Sequence, residues 1–132
     1  ICYNTFVLLY FIHAITTWLL TGLIWTVQVV HYPFFKFSTL SKDAFLFHQR
    51  QISFLVMPLM ITELLTGIYL LIRDWPLYQY VNGVNVLLIF LLWIHTFVIM
   101  VPLHHHLLNS PSQNIVALLV KHNWVRTFAW TI

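Results

Sequence analysis

Charge is what this sequence has least of. Its 132 residues include six Lys or Arg and three Asp or Glu, 7% of the chain, where soluble domains carry about 25%. Hydrophobic residues make up 61%, against roughly 45–50%. A chain this small cannot hide so much apolar surface from water. That excludes a soluble globular domain and a disordered tail. The net charge of +3 is scattered along the chain, which excludes a phosphate-binding patch and a nucleic-acid partner. Cysteine occurs once, as Cys2, so there is no disulfide framework and no thiolate metal cluster. Glycine occurs three times, and neither G-x-G-x-x-G nor a P-loop is present. C-x-x-C-H and H-E-x-x-H are absent too.

What remains is long apolar runs and an excess of histidine. Residues 1–35 and 75–120 contain no Asp, Glu, Lys or Arg. A membrane-crossing helix needs about 20 apolar residues. The runs predict an all-α, four-helix transmembrane bundle in a single domain, 1–132, with spans near 5–31, 51–72, 83–103 and 111–132. Ser41 and Asp43 are candidate caps for the second helix. Ser110 before Pro111 reads as a cap for the fourth. Asn82-Gly83 reads as the turn before the third. A second helix running from about Ser41 to Arg73 is roughly 48 Å long, so its start should protrude from a hydrocarbon core ~30 Å thick. The chain stops six residues after Arg126. A carboxylate there would lie inside the bilayer at high cost, which predicts a fourth helix continuing past Ile132.

Five of the six basic residues, Lys36, Lys42, Arg50, Lys121 and Arg126, lie toward one side. The positive-inside rule makes that side cytoplasmic. The N-terminus is then outside and the loops 32–50 and 104–122 are cytoplasmic, in a bacterial inner membrane. Asp43 and Asp74 fall on opposite sides, which leaves a Ser/His/Asp hydrolase without an acid. Trp75, Tyr78 and Tyr80 suit an aromatic belt outside, and Tyr32, Phe34, Phe35 and Trp124 suit one inside.

Six of the eight histidines gather at the cytoplasmic rim: His31, His48, His104, His105, His106 and His122. Imidazoles from separate elements can hold a transition metal, and His31, His48 and His104 form the natural triad. Interfacial histidines that only meet headgroups remain the alternative. Gln28, Tyr32, Arg50, Asn123 and Arg126 sit at the same level. Trp18, Thr21, Trp25, Gln28 and Tyr32 form one stripe on the first helix at spacings of three and four.

A deeper set comprises His13, Glu63 and His95. The rise per residue puts His13 and Glu63 within ~2 Å of one depth and His95 roughly 5 Å further in. Ionisable groups at such depth face the bundle interior or a watery path. Glu63 is the candidate catalytic or proton-handling carboxylate; the alternative is a structural contact with His13, Thr17 or Thr96. His13 and His95 are candidate ligands of haem b, and Arg50 and Arg126 candidate partners for its propionates or for an anionic substrate.

These motifs together resemble a family of small, uncharacterised bacterial integral membrane proteins with four helices. The similar stretches are GLIWTVQVVHYPFF (22–35), FHQRQ with VMPLMITE (47–51 and 56–63), TFVIMVPLHHHL (96–107) and HNWVRTFAW (122–130). The pattern carries onto Trp25, Gln28, Tyr32, Pro33, His48, Pro58, Glu63, Pro102, His104, Asn123, Trp124, Arg126 and Thr127. Met100 departs from it, standing where the family usually has Gln. A fainter likeness, carried by His13 and Gly22, is to haem-binding membrane protoporphyrinogen oxidases and copper-resistance membrane domains. The resemblance implies a fold and a set of positions, with no reaction attached. Two functions follow as expectations. One is an accessory or assembly subunit of a larger respiratory or photosynthetic membrane complex, in contact with lipids and with other subunits or itself. The other is a haem- or metal-binding redox protein with its site at the rim.

Overall fold

The computed structural model describes residues 2–37, 41–73, 78–110 and 112–132, with side chains over 5–34, 41–73, 78–110 and 112–132. Helices account for all the regular structure of the described residues. Helix α1 (2–37) runs through Cys2–Thr26, a π turn at Val27–His31, and Tyr32–Phe37. Helix α2 is Lys42–Arg73. Helix α3 is Gln79–Asn109, with a second π turn at Thr96–Met100. Helix α4 is Gln113–Thr131. Thr5–Phe34, Lys42–Arg73 and Gln79–Asn109 are long and apolar enough to cross a membrane. Helix α4 falls outside that set, because Lys121, His122, Asn123 and Arg126 dilute its apolar content.

The caps fall partly where the sequence predicts. Ser41 does cap α2, its Oγ accepting the Ala44 N–H at 3.3 Å. The cap of α4 is Ser112 rather than Ser110, with its Oγ accepting from the Ile115 N–H at 3.2 Å. Asn82-Gly83 is no turn: it lies inside α3, where Asn82 Nδ2 donates to the Leu70 carbonyl at 3.4 Å. That bond ties α3 to α2 and satisfies an amide that would otherwise favour a turn. Pro111, Asp74 and Trp75 lie outside the described residues, as do the side chains of Cys2, Phe35 and Lys36.

Helix α1 packs along α2 on one side and α4 on the other, and α2 packs on the Gln79–His95 half of α3. Two apolar clusters fill the seams. One joins Leu20, Ile24, Met60, Leu92 and Trp130. The other joins Val27, Tyr32, Phe45, Met100, Leu107, Val116 and Leu119. Tyr32 thus belongs to the core, 3% exposed, and not to an interfacial belt.

The two π turns share a local cause. In each, the residue after the turn bonds five back: Tyr32 N–H to the Val27 carbonyl, and Val101 N–H to the Thr96 carbonyl. The next residue is Pro33 in one case and Pro102 in the other. Proline has no N–H, and its ring presses on the carbonyl four residues back. Widening the preceding turn relieves that pressure. It also adds a residue and rotates everything beyond it relative to an ideal helix.

Close helix approach depends on one glycine. A Cβ on Gly67 would meet His13 Cε1 and Ile89 Cδ1, both at 3.3 Å, whereas nothing lies within 4 Å of one on Gly22. Gly67→Leu is therefore expected to wedge α1, α2 and α3 apart and cost about 1–3 kcal/mol. Gly22→Ala meets no clash and gains helix propensity of up to about 1 kcal/mol. Unfolding titrations in mixed micelles should separate the two variants in opposite directions.

Candidate functional site

The polar stripe of α1 is the face that meets α4. Thr21 Oγ1 donates to the Trp130 carbonyl at 2.8 Å, and Trp25 Nε1 donates to Thr131 Oγ1 at 3.1 Å. One π-turn residue, Gln28, reaches furthest. Its Oε1 accepts from Asn123 Nδ2 at 2.7 Å, and its Nε2 approaches the Val120 carbonyl at 3.5 Å. Trp18, at the start of the stripe, faces outward and is 80% exposed.

Asn123, Arg126 and Thr127 lie three and four apart and share the inner face of α4. All three are buried, and Asn123 and Thr127 have no exposure at all. Thr127 Oγ1 bonds back to the Asn123 carbonyl at 2.9 Å. Asn123 Oδ1 faces Arg126 Nη1 at 3.5 Å, and the guanidinium lies over the Trp130 ring, 5.2 Å from its centroid. Arg126 Nε is buried with no hydrogen-bond partner.

The guanidinium opens onto a cavity of about 140 Å³ that Tyr32, His48 and His104 also line. Its deep wall is apolar: Ile24, Val27, Phe45, Met60 and Met100. Its mouth carries Ser53 from α2 and Phe97 and Val101 from α3, all exposed. The mouth exists because α2 touches α3 along Gln79–His95 but not along the Thr96–Met100 π turn. Both π turns contribute lining residues, Val27 from one and Thr96, Phe97 and Met100 from the other. Such turns occur frequently at functional sites.

A second polar centre surrounds Glu63, which is 1% exposed. Thr17 Oγ1 donates to Oε1 at 2.8 Å, and Trp130 Nε1 donates to Oε2 at 3.2 Å. Trp130 thus stands between the buried carboxylate and the buried guanidinium, bonded to one by its edge and facing the other with its ring. His13 lies alongside. Its Nε2 donates to Asn85 Oδ1 at 3.1 Å, and its Nδ1 faces Thr66 Oγ1 at 2.8 Å. With that tautomer both imidazole nitrogens are engaged. Thr96 bonds within its own helix, to the Leu92 carbonyl at 2.7 Å.

The remaining predicted site residues divide. His48, His104 and Arg126 come together around the cavity. His31 pairs with His48, ring centroids 4.9 Å apart, and its Nδ1 is buried without a partner. His104 stacks on Phe45 at 6.2 Å and bonds the Met100 carbonyl through Nδ1 at 2.7 Å, which leaves Nε2 as its only possible ligating atom. His95 lies 5.6 Å from His122, ring to ring, and neither of its nitrogens finds a partner. Arg50 is exposed on α2 and does not line the cavity. Among the described residues, no three of His, Cys, Asp and Glu converge to hold a metal. The cavity is also smaller than the roughly 300–1,000 Å³ pockets that take whole small-molecule ligands, so it does not fit haem. Tyr32 and Trp130 emerge as site residues that composition did not single out. The 3–4 spacing from Gln28 to Tyr32 was the available signal for the first, and the spacing of four from Arg126 to Trp130 for the second. Comparison with family models, with curated proteins and with solved structures finds no match to this chain.

Proposed function

We propose that this chain is a small integral membrane protein, a four-helix transmembrane bundle in a bacterial inner membrane, acting as an accessory or assembly subunit of a larger membrane complex. In this reading the N-terminus is outside and the loops 32–50 and 104–122 are cytoplasmic, as the bias of basic residues favours. One observation carries it: the division of side chains between inside and outside. Polar groups of all four helices bond inward, while large apolar side chains cover the exterior, among them Trp18 at 80%, Phe54 at 76% and Ile72 at 73% exposure. In water such a surface would aggregate; in a bilayer it is available to lipid and to neighbouring helices. A second reading, a haem- or metal-binding redox protein, is favoured by the packing of His31 on His48 and by the buried His31 Nδ1, which has no hydrogen-bond partner.

Mild-detergent purification of the tagged chain from its native membrane tests both readings. The expected result is co-elution with larger subunits at a fixed ratio, checked by native mass spectrometry. Recovery as a lone chain overturns the accessory role. A stoichiometric Soret band or bound metal, lost in His48→Ala or His104→Ala, supports the second reading. A colourless, metal-free protein overturns that one.

A further inference from the structure

The Arg126 guanidinium stays protonated at any physiological pH, yet it is only 8% exposed. What surrounds it does not balance that charge. Among its contacts are a long approach to Asn123 Oδ1 at 3.5 Å, the face of Trp130 at 5.2 Å, and an electrostatic interaction with the Tyr32 phenol, none of which supplies a carboxylate. Among the described residues no carboxylate pairs with it, and Nε has no hydrogen-bond partner. Glu63, the one buried acid of α2, spends its oxygens on Thr17 and Trp130. A buried cation without a counter-charge is costly. Arg126 also borders a cavity of about 140 Å³. That volume suits a single headgroup and excludes a larger ligand.

The charge of the missing partner follows from the lining. Arg126 is the only permanently charged group on the cavity wall, beside Tyr32, His48 and His104. One negative charge neutralises it; a doubly charged group would leave an excess in a low-dielectric site. The partner's route follows from the mouth. The mouth lies between two helices apolar enough to span a membrane, where Phe97 and Val101 are exposed. A ligand entering there passes through the hydrocarbon region, and whatever trails from it lies along apolar helix faces.

We infer that this cavity binds the singly charged oxyacid headgroup of a membrane amphiphile, admitted sideways between α2 and α3 and held by Arg126. Two sources carry that chemistry: the phosphodiester of an anionic phospholipid and the carboxylate of a free fatty acid. The site is independent of whether the protein serves a larger complex.

The test uses the full chain in a neutral detergent, with native mass spectrometry and a binding titration. The probes are phosphatidylglycerol, oleate, phosphatidylcholine and inorganic phosphate. One equivalent of phosphatidylglycerol or oleate should bind saturably, and whichever binds tighter identifies the source. Arg126→Gln should weaken that binding about 10- to 100-fold, the worth of a charge-assisted hydrogen bond. Ser53→Trp, at the exposed mouth and away from the core, should weaken it by a similar factor while the circular dichroism and melting curve stay unchanged. This second variant keeps the test decisive if Arg126→Gln fails to fold. Equal binding of phosphatidylcholine, undiminished binding in a folded Ser53→Trp protein, or inorganic phosphate binding as tightly as the amphiphiles would each overturn the proposal.

Discussion

Trp130→Ala is expected to destabilise the bundle by about 3–5 kcal/mol, the usual cost of truncating a buried tryptophan. The residue is 6% exposed and packs with Leu20, Ile24, Met60 and Leu92. Its removal leaves a cavity where all four helices meet. Two ionisable groups also lose a partner: Glu63 Oε2 loses its donor at 3.2 Å, and Arg126 loses the ring beneath its guanidinium. Trp130→Phe separates these contributions. Phenylalanine keeps an aromatic face for Arg126 but has no N–H for Glu63. Its expected cost is about 1–3 kcal/mol, the penalty for an orphaned buried acceptor. Reversible unfolding in mixed micelles, followed by circular dichroism, measures both. If the N–H matters through Glu63, the cost of Trp130→Phe shrinks in a Glu63→Leu background. An unchanged cost there would show that packing alone is at stake.

Asn123→Leu is the second large effect. Asn123 is fully buried and joins α4 to the π turn of α1 through Gln28 Oε1 at 2.7 Å. It also presents a side-chain oxygen to Arg126, at 3.5 Å. Leucine is close in size, so the loss is mainly polar. Leaving Gln28 Oε1 unsatisfied in the interior costs about 1–3 kcal/mol. In membranes the average interhelical bond is worth nearer 0.6 kcal/mol, because the unfolded chain also finds partners. The lower half of the range would follow if Gln28 found another donor. The double variant Gln28→Leu with Asn123→Leu should cost less than the two singles added, since both partners of one bond then leave together. Strict additivity would mean that the 2.7 Å bond contributes nothing to holding α4.

Much of this seam was legible before the fold. A spacing of three and four put Thr21, Trp25, Gln28 and Tyr32 on one face of the first helix. A common depth matched Gln28 with Asn123 and Arg126, and His13 with Glu63. Those relations follow from the helical rise and turn, which apply to any residue in a helix. Three predictions that rested on local signals failed. Asn82-Gly83 reads as a turn in any sequence, yet Asn82 is satisfied by the Leu70 carbonyl of a neighbouring helix. Tyr32 has the residue type of an interfacial belt, but the π turn before it rotates it into the core. Ser110 before Pro111 reads as a helix cap, yet Ser112 caps α4 by accepting the Ile115 N–H.

Composition and apolar run length were enough to establish helices of membrane-crossing length, because lipid leaves backbone amides few other partners. The spacing of three and four also marked the polar stripe of α1, whereas the inner face of α4 became visible only in the packed structure. Composition and spacing could not locate the cavity. In a bilayer, a side chain facing lipid and one facing another helix are equally apolar, so no pattern along the chain marks where two helices separate. That separation arises where Pro102 widens α3 at Thr96–Met100 and α2 runs on without following it. Only the packed helices show that Arg126 borders the gap and that, among the described residues, no acidic side chain pairs with it.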